Sequence, residues 1–261
     1  MTRGSKVIEM GKMVIDFHSH LGKSNAAFYP ESDERDLERE PEDLLRSMAQ
    51  SGIGKSVVFN LPMLPHTQER ANLDLHEKVK GDGSFVPFAF LDPRLKESPG
   101  LLERLIDKGF RGVKLHPVCH GYVVSHRLCF PTYEVAMDKQ VPVLIHSGWG
   151  EYGEIRFIVE LAKKCANLKI VIGHMMEKDL FSLGPPHENL FVESSYSSHP
   201  RRIEQAIRSF GADRVVFGSD YPFSHPATEL SKIYAARLSH EEMEKVLHKN
   251  AEALLQLENG G

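Results

Sequence analysis

Eight short apolar segments, each followed by a stretch of helical periodicity, constrain the fold of this 261-residue chain more than any other feature. Several of them are rich in Val, Ile and Phe and apolar almost throughout, which is typical of parallel strands buried on both faces. The predicted strands are Met13–His18, Ser56–Asn60, Phe85–Leu91, Gly112–His116, Val141–His146, Lys169–His174, Asn189–Glu193 and Arg214–Ser219.

Helical segments with recognisable start and stop signals separate these strands. Pro41 opens one helix, Gly109 ends another after a basic last turn, and Ser239 begins a capping box that is completed by Glu242. The predicted helices cover residues 41–51, 67–80, 98–108, 132–139, 153–164, 200–210, 227–236 and 239–257, with a short helical stretch at 178–183.

Alternation of strands and helices implies a parallel sheet with right-handed crossovers. Eight such units in about 250 residues predict an α/β fold of the closed (β/α)8 TIM-barrel type, a single domain over residues 1–261 with a C-terminal helix. The alternative is an open doubly wound sheet, which usually carries a glycine-rich phosphate turn after its first strand. The first strand here is instead followed by Ser19-His20-Leu21-Gly22, so the barrel is favoured.

An extended, polar and acidic β1–α1 loop from Lys23 to Glu40 is expected over the mouth of this barrel. Such a loop could serve as a lid or a substrate-selecting segment. It could equally be a solvated insertion without a role in the site.

Composition excludes several classes of function. The chain is 41% hydrophobic and 26% charged with a formal net charge of −4, which gives no basic stripe for nucleic acid. It has neither an apolar run long enough to span a membrane nor a signal-peptide core, and its three cysteines lack metal or redox spacing, so a cytoplasmic protein with reduced thiols is expected. The expected partners are a small-molecule substrate and a second copy of the chain in a homodimer.

Histidine and carboxylate side chains at the strand ends carry the predicted chemistry. His18 and His20 are two residues apart on one strand and therefore point to the same face, as two ligands of one metal ion must. Lys114 lies in the fourth predicted strand near its end, His146 and His174 end the fifth and sixth, and Asp220 directly follows the eighth. Imidazole and carboxylate groups suit zinc, iron or manganese, and a catalytic zinc keeps one position open for water.

Each of these residues has an ordinary structural explanation when it is taken alone. A single histidine at a strand end is more often structural than a metal ligand, and Asp220 before Tyr221-Pro222 could simply stabilise a turn. Five strand ends that carry such groups are much harder to explain in this way. Of the fourteen histidines, nine lack this placement, and His116 has a weaker one.

The motifs together resemble those of the amidohydrolase superfamily of metal-dependent TIM-barrel enzymes. The order is Asp-x-His-x-His from Asp16, Gly-x-Lys-Leu-His-Pro around Lys114, His-Ser-Gly at His146, Gly-His-Met at His174 and Gly-Ser-Asp-Tyr-Pro at Asp220. The nearer resemblance is to the amidohydrolase-related branch, which includes aminocarboxymuconate semialdehyde decarboxylase and dicarboxylate lactonases. It covers residues 13 to about 257 and is specific for the superfamily but not for a substrate.

This resemblance implies a role for each position. His18, His20 and His146 would bind the metal, most simply zinc, and Asp220 would bind it or take a proton from its water. His174 would act as a nearby acid or base in a site with one ion, or bind a second ion in a binuclear site.

Lys114 separates the two cases. A carboxylated lysine at this position bridges two metals in binuclear relatives, whereas an ammonium would hold a substrate carboxylate, and a structural ion pair is the third alternative. One ion is favoured because the nearer branch is mostly mononuclear. His116 would then line the pocket, and Trp149, which follows His146, could contact the substrate.

The expected activity is hydrolysis of a small amide, lactone or cyclic carboxylate by metal-activated water, with Asp220 as general acid–base and His174 stabilising the developing charge. The motifs do not separate this from a non-oxidative decarboxylase that acts on an unsaturated or aromatic carboxylic acid. A non-catalytic barrel that binds metal for structure is the third alternative.

Overall fold

The computed structural model describes residues 14–25, 27–28, 37–182 and 187–257. Its strands, numbered along the chain, are β1 Val14–Lys23, β2 Glu38–Arg39, β3 Ile53–Asn60, β4 Phe85–Pro87, β5 Ala89–Leu91, β6 Val113–Leu115, β7 Val143–His146, β8 Ile170–Gly173, β9 Leu190–Glu193 and β10 Val215–Val216. The α-helices are α1 Pro41–Ser51, α2 Gln68–Val79, α3 Ser98–Asp107, α4 Pro117–His120, α5 Phe130–Asp138, α6 Ile155–Lys164, α7 Pro200–Phe210, α8 Pro226–Ala235, α9 His240–Glu244 and α10 Asn250–Leu255.

The strands form two ladders, β2-β1-β3-β4 and β10-β9-β8-β7-β6-β5, in which every pair except β1 with β2 is parallel. The ladders join where β4 runs into β5 across Phe88, and again between the ends of β10 and β1. At the second junction Phe17 N donates to Phe217 O at 2.9 Å and Asp220 N donates to the carbonyl of His18 at 2.8 Å. The fold is therefore the predicted TIM barrel, in which helices alternate with parallel strands.

Two apolar layers hold the barrel together. Its interior is filled by side chains that include Phe17, Phe59 and Phe88, all fully buried, and the C-terminal helical segment adds Leu254 and Leu255 to this cluster. A larger cluster fills the space between the strands and the surrounding helices. Alternate residues of β1 illustrate the division, since Ile15 and Phe17 belong to the interior and Val14 to the outer layer.

Most element boundaries differ from the prediction by a few residues, and four differences are larger. The first strand continues past His18 to Lys23, because it keeps pairing with β3 and then meets β2. The predicted strand Phe85–Leu91 is interrupted at Phe88, and the predicted strand Arg214–Ser219 is reduced to Val215–Val216. The last helix contains a π turn at Lys245–Lys249 between α9 and α10, although its predicted capping box is present, with Ser239 N donating to Glu242 Oε2 at 2.7 Å.

The β1–α1 loop is only partly described. Its two ends pair with each other as β1 and β2, whereas most of its acidic stretch, residues 29–36, lies outside the described residues, as does Leu183 of the short predicted helix. Cys119, Cys129 and Cys165 are all free thiols. Within the described ranges, no helix is both long and apolar enough to cross a membrane.

Candidate metal centre

The barrel brings the predicted site residues to the carboxyl ends of its parallel strands. His18 and His20 lie in β1, Lys114 lies in the centre of β6, and His146 ends β7. His174 directly follows β8 and Asp220 follows β10. All six side chains are buried, whereas polar and charged side chains are ordinarily exposed to water.

His18, His20 and Asp220 form the tightest cluster. Asp220 Oδ1 is 3.0 Å from His18 Nε2 and 3.1 Å from His20 Nε2. The three groups could together hold a metal ion. The predicted convergence of the two β1 histidines is therefore present in the structure.

The surroundings of His20 suit a cation between its ring and Asp220. Its Nδ1 lies 3.1 Å from the carbonyl oxygen of Asn60 and its Nε2 faces Asp220, so both ring nitrogens meet acceptors. Burial lowers the pKa of His20 to about 4, and the neutral ring has only one N–H to donate. With the proton on Nδ1, that N–H donates to the Asn60 carbonyl oxygen and the Nε2 lone pair faces the Asp220 carboxylate, so a cation bound between His20 and Asp220 would satisfy both groups.

Glu193, at the end of β9, orients His18 and was not anticipated as a site residue. Its Oε2 accepts hydrogen bonds from His18 Nδ1 and Ser195 Oγ, both at 2.8 Å, and from the backbone N–H of His174 at 3.1 Å. A carboxylate on Nδ1 leaves the Nε2 lone pair of His18 directed at the cluster, which is the usual support of a metal-binding histidine. An acid that ends the apolar strand Leu190–Glu193 was the sequence signal for it.

Asp16 is a second buried carboxylate that the sequence left without a role. It accepts hydrogen bonds from the backbone N–H groups of His18 at 3.0 Å and Ser219 at 2.9 Å, and from the hydroxyl of Ser19 at 3.1 Å. Burial raises its pKa to about 6. These bonds connect β1 with the segment after β10 and so fix the spacing between His18 and Asp220.

Charge in the cluster is divided between ionised carboxylates and Lys114. Burial opposes ionisation of Asp220, but His18, whose Nε2 is 3.0 Å from Asp220 Oδ1, holds the pKa of Asp220 well below its ordinary range. Lys114 is fully buried, and its Nζ lies 2.9 Å from His18 Nε2. Burial lowers the pKa of Lys114 to about 8, so the side chain is close to the point at which it becomes a neutral amine.

His146 and His174 form a second imidazole pair beside the cluster. His174 Nε2 lies 3.0 Å from His146 Nδ1, and His174 Nδ1 lies 2.8 Å from Ser195 Oγ. His146 Nε2 is buried and has no hydrogen-bond partner in the described part of the chain. His116 stacks on His146 with the ring centroids 3.8 Å apart. Burial lowers the pKa of both His146 and His174, the latter to about 3, so both rings are neutral.

The structure separates the expected ligands into groups. In the described residues the ligand atoms of His18, His20 and Asp220 lie within one such group, and those of His18, His174 and Glu193 within another. Neither group includes His146. The second group is accounted for by the hydrogen bonds of Glu193, so the first is the stronger candidate for a metal ion.

Trp149 lies at the rim, on the loop that follows His146. Its ring is stacked on His146 with the centroids 5.3 Å apart, and half of the residue is exposed. Arg202 lies in the first turn of α7. The guanidinium of Arg202 donates to the carbonyl oxygens of Met175 at 2.8 Å and Glu177 at 2.7 Å, and so fixes the loop after His174.

Comparison with known proteins extends these observations. A family model described as Amidohydrolase matches residues 15–257, which is nearly the whole chain. The search of curated proteins found no match to this chain.

Several solved structures share the fold at low sequence identity. A 2,6-dihydroxybenzoate decarboxylase from Rhizobium is 18% identical, covers 94% of this chain and 99% of its own, and superposes with a TM-score of 0.78. A 5-carboxyvanillate decarboxylase from Novosphingobium aromaticivorans, complexed with manganese and 4-hydroxy-3-methoxy-5-nitrobenzoic acid, is 18% identical with coverages of 95% and 97% and a TM-score of 0.78.

A third structure is a dihydroxybenzoic acid decarboxylase from Polaromonas with bound manganese and the inhibitor 2-nitroresorcinol. It is 20% identical, with coverages of 94% and 97% and a TM-score of 0.73. At these identities the three structures establish the fold that the chain shares with them.

Proposed function

The chain belongs to the amidohydrolase family, and from this premise we propose that it is a metal-dependent hydrolase of small carboxylated amides or lactones. The observation that carries the proposal is the position of Asp220. Its ionised carboxylate lies within 3.1 Å of two buried histidine nitrogens, where it can serve both a metal ion and a reacting water.

We propose that His18, His20 and Asp220 hold one divalent ion, with His146 as a further ligand. Both ring nitrogens of the neutral His20 face hydrogen-bond acceptors, and the buried Nε2 of His146 has no partner among the described residues. Both observations fit a bound cation. Zinc suits an imidazole-rich set of ligands. Manganese is the second choice, because two of the similar structures contain it. When bound, such an ion acidifies water and polarises a carbonyl group.

The residues of the chain divide the remaining work. Asp220 accepts the proton of the attacking water and returns it to the leaving group, as general acid–base catalysis requires. His174, whose Nδ1 N–H donates to Ser195 Oγ, is a neutral imidazole with its lone pair on Nε2 and serves as a nearby base. Burial of these groups keeps bulk water from weakening the charge interactions.

Lys114 is proposed to bind a carboxylate of the substrate. In the structure its Nζ contacts the Nε2 of His18, the nitrogen that would bind the metal. One lone pair cannot serve both, so metal binding would release Lys114 for a substrate anion. The lowered pKa of Lys114 also permits carboxylation of the neutral amine, as a site with two ions would require. The second group of ligand atoms includes Glu193, however, and Glu193 already accepts hydrogen bonds from His18, Ser195 and His174. One ion is therefore favoured.

Decarboxylation is the second candidate. Three similar structures are decarboxylases of aromatic acids, and the same residues could hold a carboxylated ring while a proton is delivered to its carbon. The substrate class is shared by both candidates, since each requires a small carboxylic acid.

The experiment compares two products. Metal-loaded protein is incubated with a panel of carboxylated lactones, amides and aromatic acids, and both hydrolysis and release of carbon dioxide are followed. We expect hydrolysis that is lost in Asp220→Asn and retained in Asp138→Asn, a control at an exposed position. Carbon dioxide release without hydrolysis would favour the second candidate. Neither activity in folded, metal-loaded protein would favour a non-catalytic barrel.

A further inference from the structure

A network of hydrogen bonds leads from Glu193 to the imidazole pair His146 and His174. Glu193 Oε2 accepts the hydroxyl hydrogen of Ser195 at 2.8 Å, and Ser195 Oγ in turn lies 2.8 Å from His174 Nδ1. His174 Nε2 lies 3.0 Å from His146 Nδ1, with the two rings almost perpendicular at 78°. All four side chains are buried, so bulk water does not compete for these bonds.

Glu193 is a fixed, ionised acceptor at one end of this network. It accepts the backbone N–H of Ser195 through Oε1 and that of His174 through Oε2, and such hydrogen bonds stabilise the charged form of a carboxylate. Gly218 makes room for the carboxylate, because a Cβ atom there would lie 2.3 Å from Glu193 Oε1. The position of Glu193 is therefore determined by the surrounding backbone.

The direction of every hydrogen bond in the network follows from this acceptor. An ionised carboxylate donates nothing, so the single hydroxyl hydrogen of Ser195 is used on Glu193. Ser195 Oγ must then accept from His174, which places the proton of that neutral ring on Nδ1 and its lone pair on Nε2. The facing Nδ1 of His146 is consequently the donor, and the lone pair of His146 lies on Nε2.

His146 Nε2 is the open end of the network. It is buried, and it has no partner among the residues that the structure describes. The ring of His146 is stacked on that of His116, with the centroids 3.8 Å apart, and on that of Trp149 at 5.3 Å. This packing hinders a rotation that would exchange the two nitrogens, so the tautomer decides what His146 offers. An imidazole nitrogen must be free of its proton to bind a metal ion.

We propose that Ser195 is a positioning residue that fixes the tautomer of His146 and thereby the nitrogen that His146 offers to a metal ion. The inference rests on the proposed function, because it takes His146 as a ligand of that ion. The basic nitrogen of His174 is directed at the N–H of His146 in this arrangement. Glu193 also accepts from His18 Nδ1 at 2.8 Å, so a single carboxylate prepares the Nε2 lone pairs of both His18 and His146.

The tautomers of the wild-type protein test the network directly. In metal-free protein labelled with 15N and 13C, triple-resonance experiments link each imidazole to its own backbone. A protonated ring nitrogen and one with a lone pair differ widely in 15N shift. We expect the proton on Nδ1 in both His146 and His174. A proton on Nε2 of His146 would overturn the inference, and this result does not depend on any variant folding.

Variants of Ser195 test its role. Ser195→Ala removes the acceptor of the His174 proton, so we expect His146 to shift toward the tautomer with its proton on Nε2. The affinity for zinc, measured by competition with a chromogenic chelator, should fall about 10-fold, as for other partners of metal-binding histidines. Ser195→Thr keeps a hydroxyl group and should retain both properties.

Ser197→Ala is the matched control. Ser197 is a buried serine of the same segment, and its Oγ has no partner in the described part of the chain, so its removal should change neither the tautomer nor the zinc affinity. A folded Ser195→Ala protein in which His146 keeps its tautomer would overturn the positioning role, whatever its affinity for zinc.

Failure of the inference is distinguishable from failure of the proposed function. Wild-type protein with the expected tautomers that binds no zinc would support the network and contradict the metal site. Zinc binding by a protein whose metal-free form carries the His146 proton on Nε2 would overturn the network and support the metal site.

Discussion

Glu193→Gln should weaken metal binding without removing any proposed ligand. The carboxylate accepts hydrogen bonds from His18 Nδ1, Ser195 Oγ and His174 N through Oε2, and from Ser195 N through Oε1. Glutamine has the same shape but only one accepting oxygen. Its amide must therefore turn an N–H group toward at least one of these donors, and the less costly orientation places it against Ser195 N.

The expected magnitude follows from these contacts. Loss of one buried hydrogen bond with the donor left unpaired costs about 1–3 kcal/mol of unfolding free energy. Exchange of the negative carboxylate for a neutral amide also weakens the support of His18, and such partners of metal-binding histidines change metal affinity by roughly 10- to 100-fold. That range corresponds to about 1.4–2.7 kcal/mol of binding free energy.

Competition with a chromogenic chelator measures this affinity, and urea unfolding measures the stability. Glu188→Gln is the control, because Glu188 is an exposed glutamate just before the same strand, β9. Unchanged metal affinity in a folded Glu193→Gln protein would refute the argument that Glu193 acts through His18.

Three further results are expected. Lys114→Met should lower kcat/KM for a carboxylated substrate by about 10- to 100-fold in steady-state assays, because one charge-assisted hydrogen bond is lost, and equal values would contradict the assigned role. Gly153→Ala should destabilise the protein by about 1–3 kcal/mol in urea unfolding, since its Cβ would meet the Gly148 oxygen, whereas Gly83→Ala, with open space around it, should change stability by less than about 0.5 kcal/mol. Removal of metal by a chelator should lower the Tm, because an ion at 100 times its Kd stabilises the folded state by about 2.7 kcal/mol. A Tm that does not respond to chelation would count against tight binding.

The sequence predicted the barrel and the positions of the strand-end groups because both depend on local patterns. Apolar runs and capping signals such as Ser239 with Glu242 are readable along the chain. The two-residue spacing of His18 and His20 is equally local, and it correctly predicted that both would face one point, where Asp220 meets them.

Contacts between distant segments could not be predicted in this way. Phe88 interrupts its strand, and its ring occupies the space over Gly112, where a Cβ would lie 2.4 Å from a ring carbon. Glu193 supports His18 across 175 residues, and Arg202 binds the carbonyl groups of the loop after His174 from the first turn of α7. Each of these depends on which elements become neighbours after folding, information that no short motif contains.

The central claim is that His18, His20 and Asp220 form a metal-binding site, and metal analysis of protein purified without chelator tests it most directly. We predict about one divalent ion per chain in the wild-type protein and almost none in a folded His18→Ala/His20→Ala variant. Wild-type protein without bound metal after loading, or equal metal content in the variant, would contradict the account.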